Sequence, residues 1–470
     1  MKLFFRIFFC AYLIFDVSLT FKQYAHFPVD GDVAPIVVPH PNYTTVLKDP
    51  FGLNVLLHDS VYPATNRYFT HLSMYSYLRN VPLWMHRFFT PLDSIYYSCA
   101  LFDVIVHILL IYFFSVYITG SIRFWRYDNL MVASLISALF QTFGYNGTMG
   151  LLGHSITYNF FYGYAMCFIL LFFLPLFRSW FFEYRIQTFD YLWMLLFSPV
   201  MLFNGPLNAP VTIIICGFIL LRFIFMSVTK QNPLKGKSFF RSPYMLILIV
   251  SMISLYSIYV GRHNSENLWK VIPLQQRYSK LMMGLYYELT EKLGVPLLLL
   301  ACIVNYYLIK RSQLQDELAG KIMRLLKWSL WLSLLYLFLL PLGGYREYRP
   351  YILRSDTFIP VTCAFMLCYG ISTFYIIKHF QPRFTKMYAI GLAVFSLIYI
   401  NADYHVLKYD SFERKAIAQI VSSPDKIVFL ETDCTVLSWV KTTDYHDSEI
   451  KSELLVIWGV LKEKKLFYQK

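Results

Sequence analysis

The feature that most limits what this chain can fold into is a recurrence of long, nearly uncharged apolar stretches. They lie at 3–21, 97–118, 129–146, 157–177, 190–205, 209–228, 243–260, 293–309, 326–343, 357–377 and 387–402. A bilayer core of about 30 Å takes roughly 20 helical residues to cross. No water is present there to satisfy exposed backbone groups, so each stretch must bond within itself as a helix. The expected fold is therefore all-α and membrane-embedded, with about eleven transmembrane helices. Composition points the same way: 15% of residues are charged and 57% hydrophobic, at a mean hydropathy of +0.48. A soluble domain is about 25% charged. The 19% aromatic content fits membrane–water interfaces, where Tyr and Trp concentrate.

The basic residues orient these spans. Alternate gaps hold Lys2 and Arg6; Arg123 and Arg126; Arg178 and Arg185; Lys230, Lys235, Lys237 and Arg241; Lys310, Arg311, Lys321, Arg324 and Lys327; and Lys378, Arg383 and Lys386. The intervening short gaps at 147–156 and 206–208 hold none. Loops rich in Lys and Arg stay cytoplasmic, which sets the N-terminus inside and the C-terminus outside. The net charge of +14 thus belongs to topology, and no nucleic-acid partner is expected. Residues 3–21 are read as an anchor, because the stretch is long and bulky and no small-residue cleavage site follows. Seven of the 8 Cys lie in or beside apolar segments. With no C-x-x-C spacing, neither a disulfide framework nor a zinc site is expected.

Two parts follow: a transmembrane domain, 1–402, and an external C-terminal domain, 403–470. The tail reads as a helix around 411–422, a strand at 426–431 and an amphipathic stretch at 449–463, α/β-like and too small for a large core of its own. The first external loop, 22–96, is rich in aromatic and apolar residues, as in Tyr75 to Trp84. That composition suits short helices lying at the interface, where a lipid-linked substrate would be met.

Chemistry concentrates in few places. The first loop opens with Asp30-Gly31-Asp32 and continues through His40, Asp49, His58, Asp59, Asn66, Arg67 and His71. A glycine between two acids permits a tight turn, and a carboxylate serves as general base or ligates a hard cation. A plain exposed turn has the same composition. Arg346, Arg349 and Arg354 break the charge pattern by lying on the basic-poor side. Guanidinium groups match phosphate oxygens, and the plainer alternative is pairing with Glu347, Asp356 or acids of the tail. His58, Arg67 and His154 join them as substrate-side candidates, His154 within a Gly-rich, uncharged gap that carries no nucleotide motif. Asp103 and His107, four apart on the second span, share a helix face and read as an internal salt bridge or a proton relay. Asp16 and Arg222 read as packing partners in the same way.

Helix 1 running outward, a long first loop opening with Asp30-Gly31-Asp32, about ten further spans and a small external tail together resemble the GT-C superfamily of polyprenyl-phosphate-sugar-dependent glycosyltransferases. The resemblance covers residues 1–402 at the level of layout. It implies an acidic residue early in the first external loop at the acceptor, hence Asp30 or Asp32, and external arginines on the lipid phosphate, corresponding to Arg346, Arg349 or Arg354. Where the superfamily often has Asp-Asp or Asp-Glu, this chain has Asp-Gly-Asp. The implied partners are the bilayer, a polyprenyl-phosphate sugar and a glycan or lipid acceptor. No nucleotide cofactor is expected, and a divalent cation is left open. The chain overall resembles a bacterial inner-membrane protein. Other readings are an O-antigen polymerase or ligase, a transporter or flippase, and a non-catalytic membrane assembly protein. No internal repeat of the kind that builds many transporters is visible.

Overall fold

A computed structural model describes residues 2–140, 150–229, 242–267, 272–291, 293–312, 316–343, 349–402 and 408–470. The described residues are predominantly helical. Helix α1 (Lys2–Tyr24) leads into the first loop, which holds α2 (Val33–Val37), α3 (Pro41–Lys48), α4 (Leu53–His58) and α5 (Tyr68–Met85). Then follow α6 (Pro91–Thr119), α7 (Tyr127–Ile136), and α8 (Ile156–Tyr158), which passes through a π segment (Asn159–Tyr164) into α9 (Ala165–Phe182). Next come α10 (Thr188–Leu202), α11 (Asn208–Val228), α12 (Pro243–Arg262), α13 (Leu274–Thr290), α14 (Gly294–Arg311), α15 (Glu317–Leu339), α16 (Ser355–His379) and α17 (Pro382–Ala402).

Among the described residues nine helices are long and apolar enough to cross a membrane, and the protein is an all-α membrane protein. Two further apolar helices, Tyr127–Leu139 and Thr188–Leu202, are shorter; the end of the expected span 129–146 lies outside the described residues. Burial ranks the spans. The most apolar windows of α16 and α6 are 78% and 67% buried, those of α1 and α17 only 11%, so α6 and α16 form the centre and α1 and α17 lie at the rim. Large side chains left open on rim helices, such as Leu221 and Phe225 of α11, would be an aggregation hazard in water and are what lipid tails contact.

Two helix starts differ from the sequence reading. Helix α6 begins at Pro91 rather than 97, because Thr90 caps it by accepting the Asp93 N–H at 3.1 Å. Helix α15 begins at Glu317 rather than 326, so Lys321, Arg324 and Lys327 ride on its first turns. Asp316 caps it by accepting the Ala319 N–H at 2.6 Å, and Lys321 pairs with Glu183 at 2.9 Å. A capped and ion-paired first turn tolerates charge that would break an apolar pattern.

The described basic connections gather at one end of the bundle. There Lys378 of α16 meets Asp128 of α7 at 2.5 Å, Lys321 of α15 meets Glu183 beyond α9, and Tyr375 donates to Asp316 at 3.1 Å. The opposite end carries the first loop, α13 and the tail. The tail folds as α18 (Ser411–Ser422), strand β1 (Ile427–Leu430), α19 (Glu449–Ile457) and strand β2 (Leu466–Gln469). The strands pair in parallel, Ile427 opposite Leu466 and Leu430 opposite Gln469, with α19 in the crossover. Its core is completed by the first loop: the fully buried Trp458 donates its indole N–H to the Leu78 carbonyl of α5 at 2.7 Å, and α19 packs on α2.

Candidate functional site

Three residues of the first loop do three different jobs. The Asp30 carboxylate is buried and accepts four hydrogen bonds: from Ser155 Oγ at 2.6 Å, Thr157 Oγ1 at 2.7 Å, Thr157 N–H at 3.0 Å and Asp32 N–H at 3.1 Å. Ser155 caps the start of α8 by accepting the Tyr158 N–H, so Asp30 sits as an anion at a helix N-terminus. Burial pushes its carboxyl above the ordinary value, against the pull of those donors. Gly31 supplies space rather than a special backbone angle: a Cβ there would lie 2.6 Å from Trp439 N and 2.7 Å from its ring. Asp32 starts α2, whose buried Val33, Ala34, Ile36 and Val37 fix the loop. The two acids are therefore directed to different places: Asp32 is partly exposed, while Asp30 is buried in the wall of a cavity.

That cavity, of about 400 Å³, lies at the tail end of the bundle. The first loop contributes Phe27, Pro28, Val29 and Asp30; the segment before α8 contributes Gly153, His154, Ser155 and Tyr158; α16 contributes Ser355; the tail contributes Tyr409, Thr435, Ser438 and Trp439. The His154 ring lies parallel to Phe27 with centroids 5.0 Å apart. One side of it meets water, yet surrounding protein pushes its pKa down to about 4, so it is neutral at physiological pH. None of the described lining residues is Lys or Arg.

The arginine candidates adjoin rather than line this cavity. Arg354 precedes Ser355 and meets Asp356 at 2.6 Å, and Arg349 lies 3.9 Å from the same carboxylate. Pairing with Asp356 was the plainer sequence alternative, and it is the arrangement seen. Arg346 and Glu347 lie outside the described residues. Arg67 rests over the Phe161 ring at 5.9 Å, beside His71, which stacks on Tyr43. Burial together with the Arg67 charge lowers the His71 pKa to about 3. His58 is exposed at the end of α4. Neither Arg67 nor His58 lines the cavity. Asp49 accepts from Leu53 N–H, Asn54 N–H and Tyr62 O–H, and so braces the loop. No group of three His, Cys, Asp or Glu gathers to hold a metal among the described residues, and the O–H and N–H donors around Asp30 occupy the lone pairs a cation would use.

Inside the bundle the expected Asp103–His107 bridge is not made. Asp103 accepts from Asn159 Nδ2 at 2.6 Å, and Asn159 in turn holds both backbone groups of Gly153. His107 contacts Thr20 Oγ1 at 3.2 Å and lies 3.8 Å from Asp16. Arg222 rests over the Trp328 ring at 4.7 Å.

Sequence reasoning missed Glu413. This tail acid is buried and accepts from Val29 N–H at 2.9 Å, Tyr96 O–H at 2.9 Å and Leu437 N–H at 2.8 Å. It joins the first loop, α6 and the Trp439 loop, and so shapes the cavity. Beside it Arg414 pairs with Asp410 and with Asp93, the latter at 2.5 Å, over the Tyr96 ring. Nothing in an amphipathic helix with one glutamate announces such a role. Ser155 did leave a signal, a Ser directly before a helical pattern. Among protein-family models none matches the chain, and no curated protein sequence matches it.

Proposed function

We propose that this protein is a membrane glycosyltransferase of GT-C-like layout, taking a sugar from a polyprenyl phosphate at the tail end of the bundle. The reading includes eleven spans, with the two shorter apolar helices counted, a cytoplasmic N-terminus and an external C-terminus in a bacterial inner membrane. The observation that carries it is the shared cavity: Asp30 and Ser355 line it together, and Ser355 is next in sequence to Arg354. This supports a reading in which the Asp30 carboxylate serves the acceptor and the Arg349 and Arg354 guanidinium groups, now facing Asp356, serve the lipid phosphate. In the reaction the acceptor hydroxyl oxygen bonds to the anomeric carbon as the bond from that carbon to the phosphate oxygen breaks. The phosphate keeps the electron pair, beside Arg349 and Arg354, and Asp30 takes the hydroxyl proton. Phosphate is a good leaving group and needs little acid help; a positioned base is worth about 10²–10⁴ in rate.

One observation favours a second reading. All four acceptor positions of Asp30 are filled by protein donors, as in a structural anchor of a non-catalytic assembly protein. To act as a base, Asp30 must exchange the Ser155 hydroxyl for the acceptor's. Asp30→Asn in the full chain separates the two. The transferase reading expects transfer of lipid-linked sugar to fall at least about 100-fold with the melting temperature within a few degrees of wild type. Retained transfer overturns it, and a large fall in melting temperature with transfer retained per folded molecule assigns Asp30 to anchoring.

A further inference from the structure

The cavity's chemistry narrows what it holds. Anionic ligands are recognised by cations, and no described lining residue is Lys or Arg. A purely apolar ligand would waste the hydroxyls of Ser355, Thr435 and Ser438. What remains are flat aromatic faces beside many short hydrogen-bonding groups. Trp439 is half exposed, and its ring stacks on Tyr158 at 5.9 Å and 30°. The loop carrying it is seated closely on Gly31 and tied through the Leu437 N–H to Glu413, so the platform is fixed before a ligand arrives.

A neutral sugar ring has the matching surfaces: C–H groups on its faces, hydroxyls at its edge. We infer that the tail loop Thr435 to Trp439, with Tyr158, forms a subsite for a neutral saccharide, one ring lying on Trp439 and its edge hydroxyls meeting Ser438 and Thr435. Under the transferase reading, on which the word depends, this saccharide is the acceptor, and the tail rather than the membrane helices selects it. The volume of about 400 Å³ falls in the range of small-molecule sites.

The test uses the purified full chain in nanodiscs on a printed array of neutral, uronate-containing and phosphorylated oligosaccharides. Neutral members should be retained preferentially. Trp439→Ala should weaken that retention about tenfold or more, while Trp439→Phe, which keeps a ring, stays within a few-fold of wild type. Trp439 is half exposed, so folding survives either change, and an unchanged melting temperature confirms it. Retention of no neutral member, preference for the acidic ones, or equal retention by Trp439→Ala each overturns the subsite. The Asp30→Asn transfer assay reads the other proposal separately. Neutral-glycan binding with transfer unaffected by Asp30→Asn leaves the subsite standing without the carboxylate chemistry. Loss of transfer in Asp30→Asn with no glycan retained does the reverse.

Discussion

Replacing Glu413 by alanine should release the tail from the membrane domain. Among the described residues the side chain is the acceptor for three buried donors, the N–H of Val29, the O–H of Tyr96 and the N–H of Leu437. Each donor left without a partner costs about 1–3 kcal/mol, so the gross loss is about 3–9 kcal/mol. Against it stands relief from burying a carboxyl whose pKa is pushed up to about 7 from 4.5, mainly by desolvation. That shift is worth about 3 kcal/mol when the group is ionised, which leaves a net loss between about 0 and 6 kcal/mol at neutral pH, about 3 at the middle of the range. The open tail should then be populated about 100-fold more. Hydrogen exchange of the peptides holding Val29 and Leu437 reads this directly, since those amides are the donors. Glu413→Gln keeps one oxygen and loses about one bond, so exchange should rise about tenfold. The native pKa lies above the unfolded value. The group's contribution is therefore fully present below about pH 4.5 and lost as pH rises through about 7. Tail protection should fall across that window in wild type and stay flat in Glu413→Gln. Exchange in Glu413→Ala within threefold of wild type at both peptides would refute the reasoning.

Two further outcomes are expected. Gly31→Ala forces a methyl against Trp439 N and ring at 2.6 and 2.7 Å, so melting should show a loss of about 1–3 kcal/mol and glycan retention should fall with it; wild-type stability would show that the Trp439 loop yields freely. A reporter fused after Lys470 should be active on the non-cytoplasmic side, because the described basic connections share the end opposite the tail; activity confined to the cytoplasm would reverse the orientation.

How far the sequence could be read depended on whether a residue's partner was near it in the chain. The apolar stretches were legible because a bilayer imposes one length on every crossing. The start of α15 was not, since Lys321 is satisfied by Glu183, a residue on another helix. Asp30 could be picked out by its place after helix 1, but its partners Ser155 and Thr157 lie more than a hundred residues away. A glycine between two acids suggests a turn former; the reason for Gly31 is Trp439, from the far end of the chain. Arg354 and Asp356, two apart in sequence, were by contrast foreseeable as a pair.

The intramembrane polar residues acquire a purpose once both cavity walls are traced back to α6. Helix α1 lies at the rim with little buried area, so apolar packing alone would leave its rotation loosely set. Thr20 fixes it against His107 of α6 at 3.2 Å, with the Asp16 carboxylate 3.8 Å from the same ring. Turning Asp16 toward lipid would cost about 2.5–3.5 kcal/mol, and the rotation of α1 sets where Val29 and Asp30 emerge. On the same helix Asp103 holds Asn159, which clamps Gly153 through its N–H and its carbonyl and so places His154 and Ser155. One turn of α6 therefore registers the loop that carries Asp30, and the turn before it registers the segment whose Ser155 and Thr157 receive that carboxylate. Two acids and a histidine inside the bilayer are accounted for by this alignment. It also explains why they face protein rather than lipid: each is tied to an element that must meet another at the cavity.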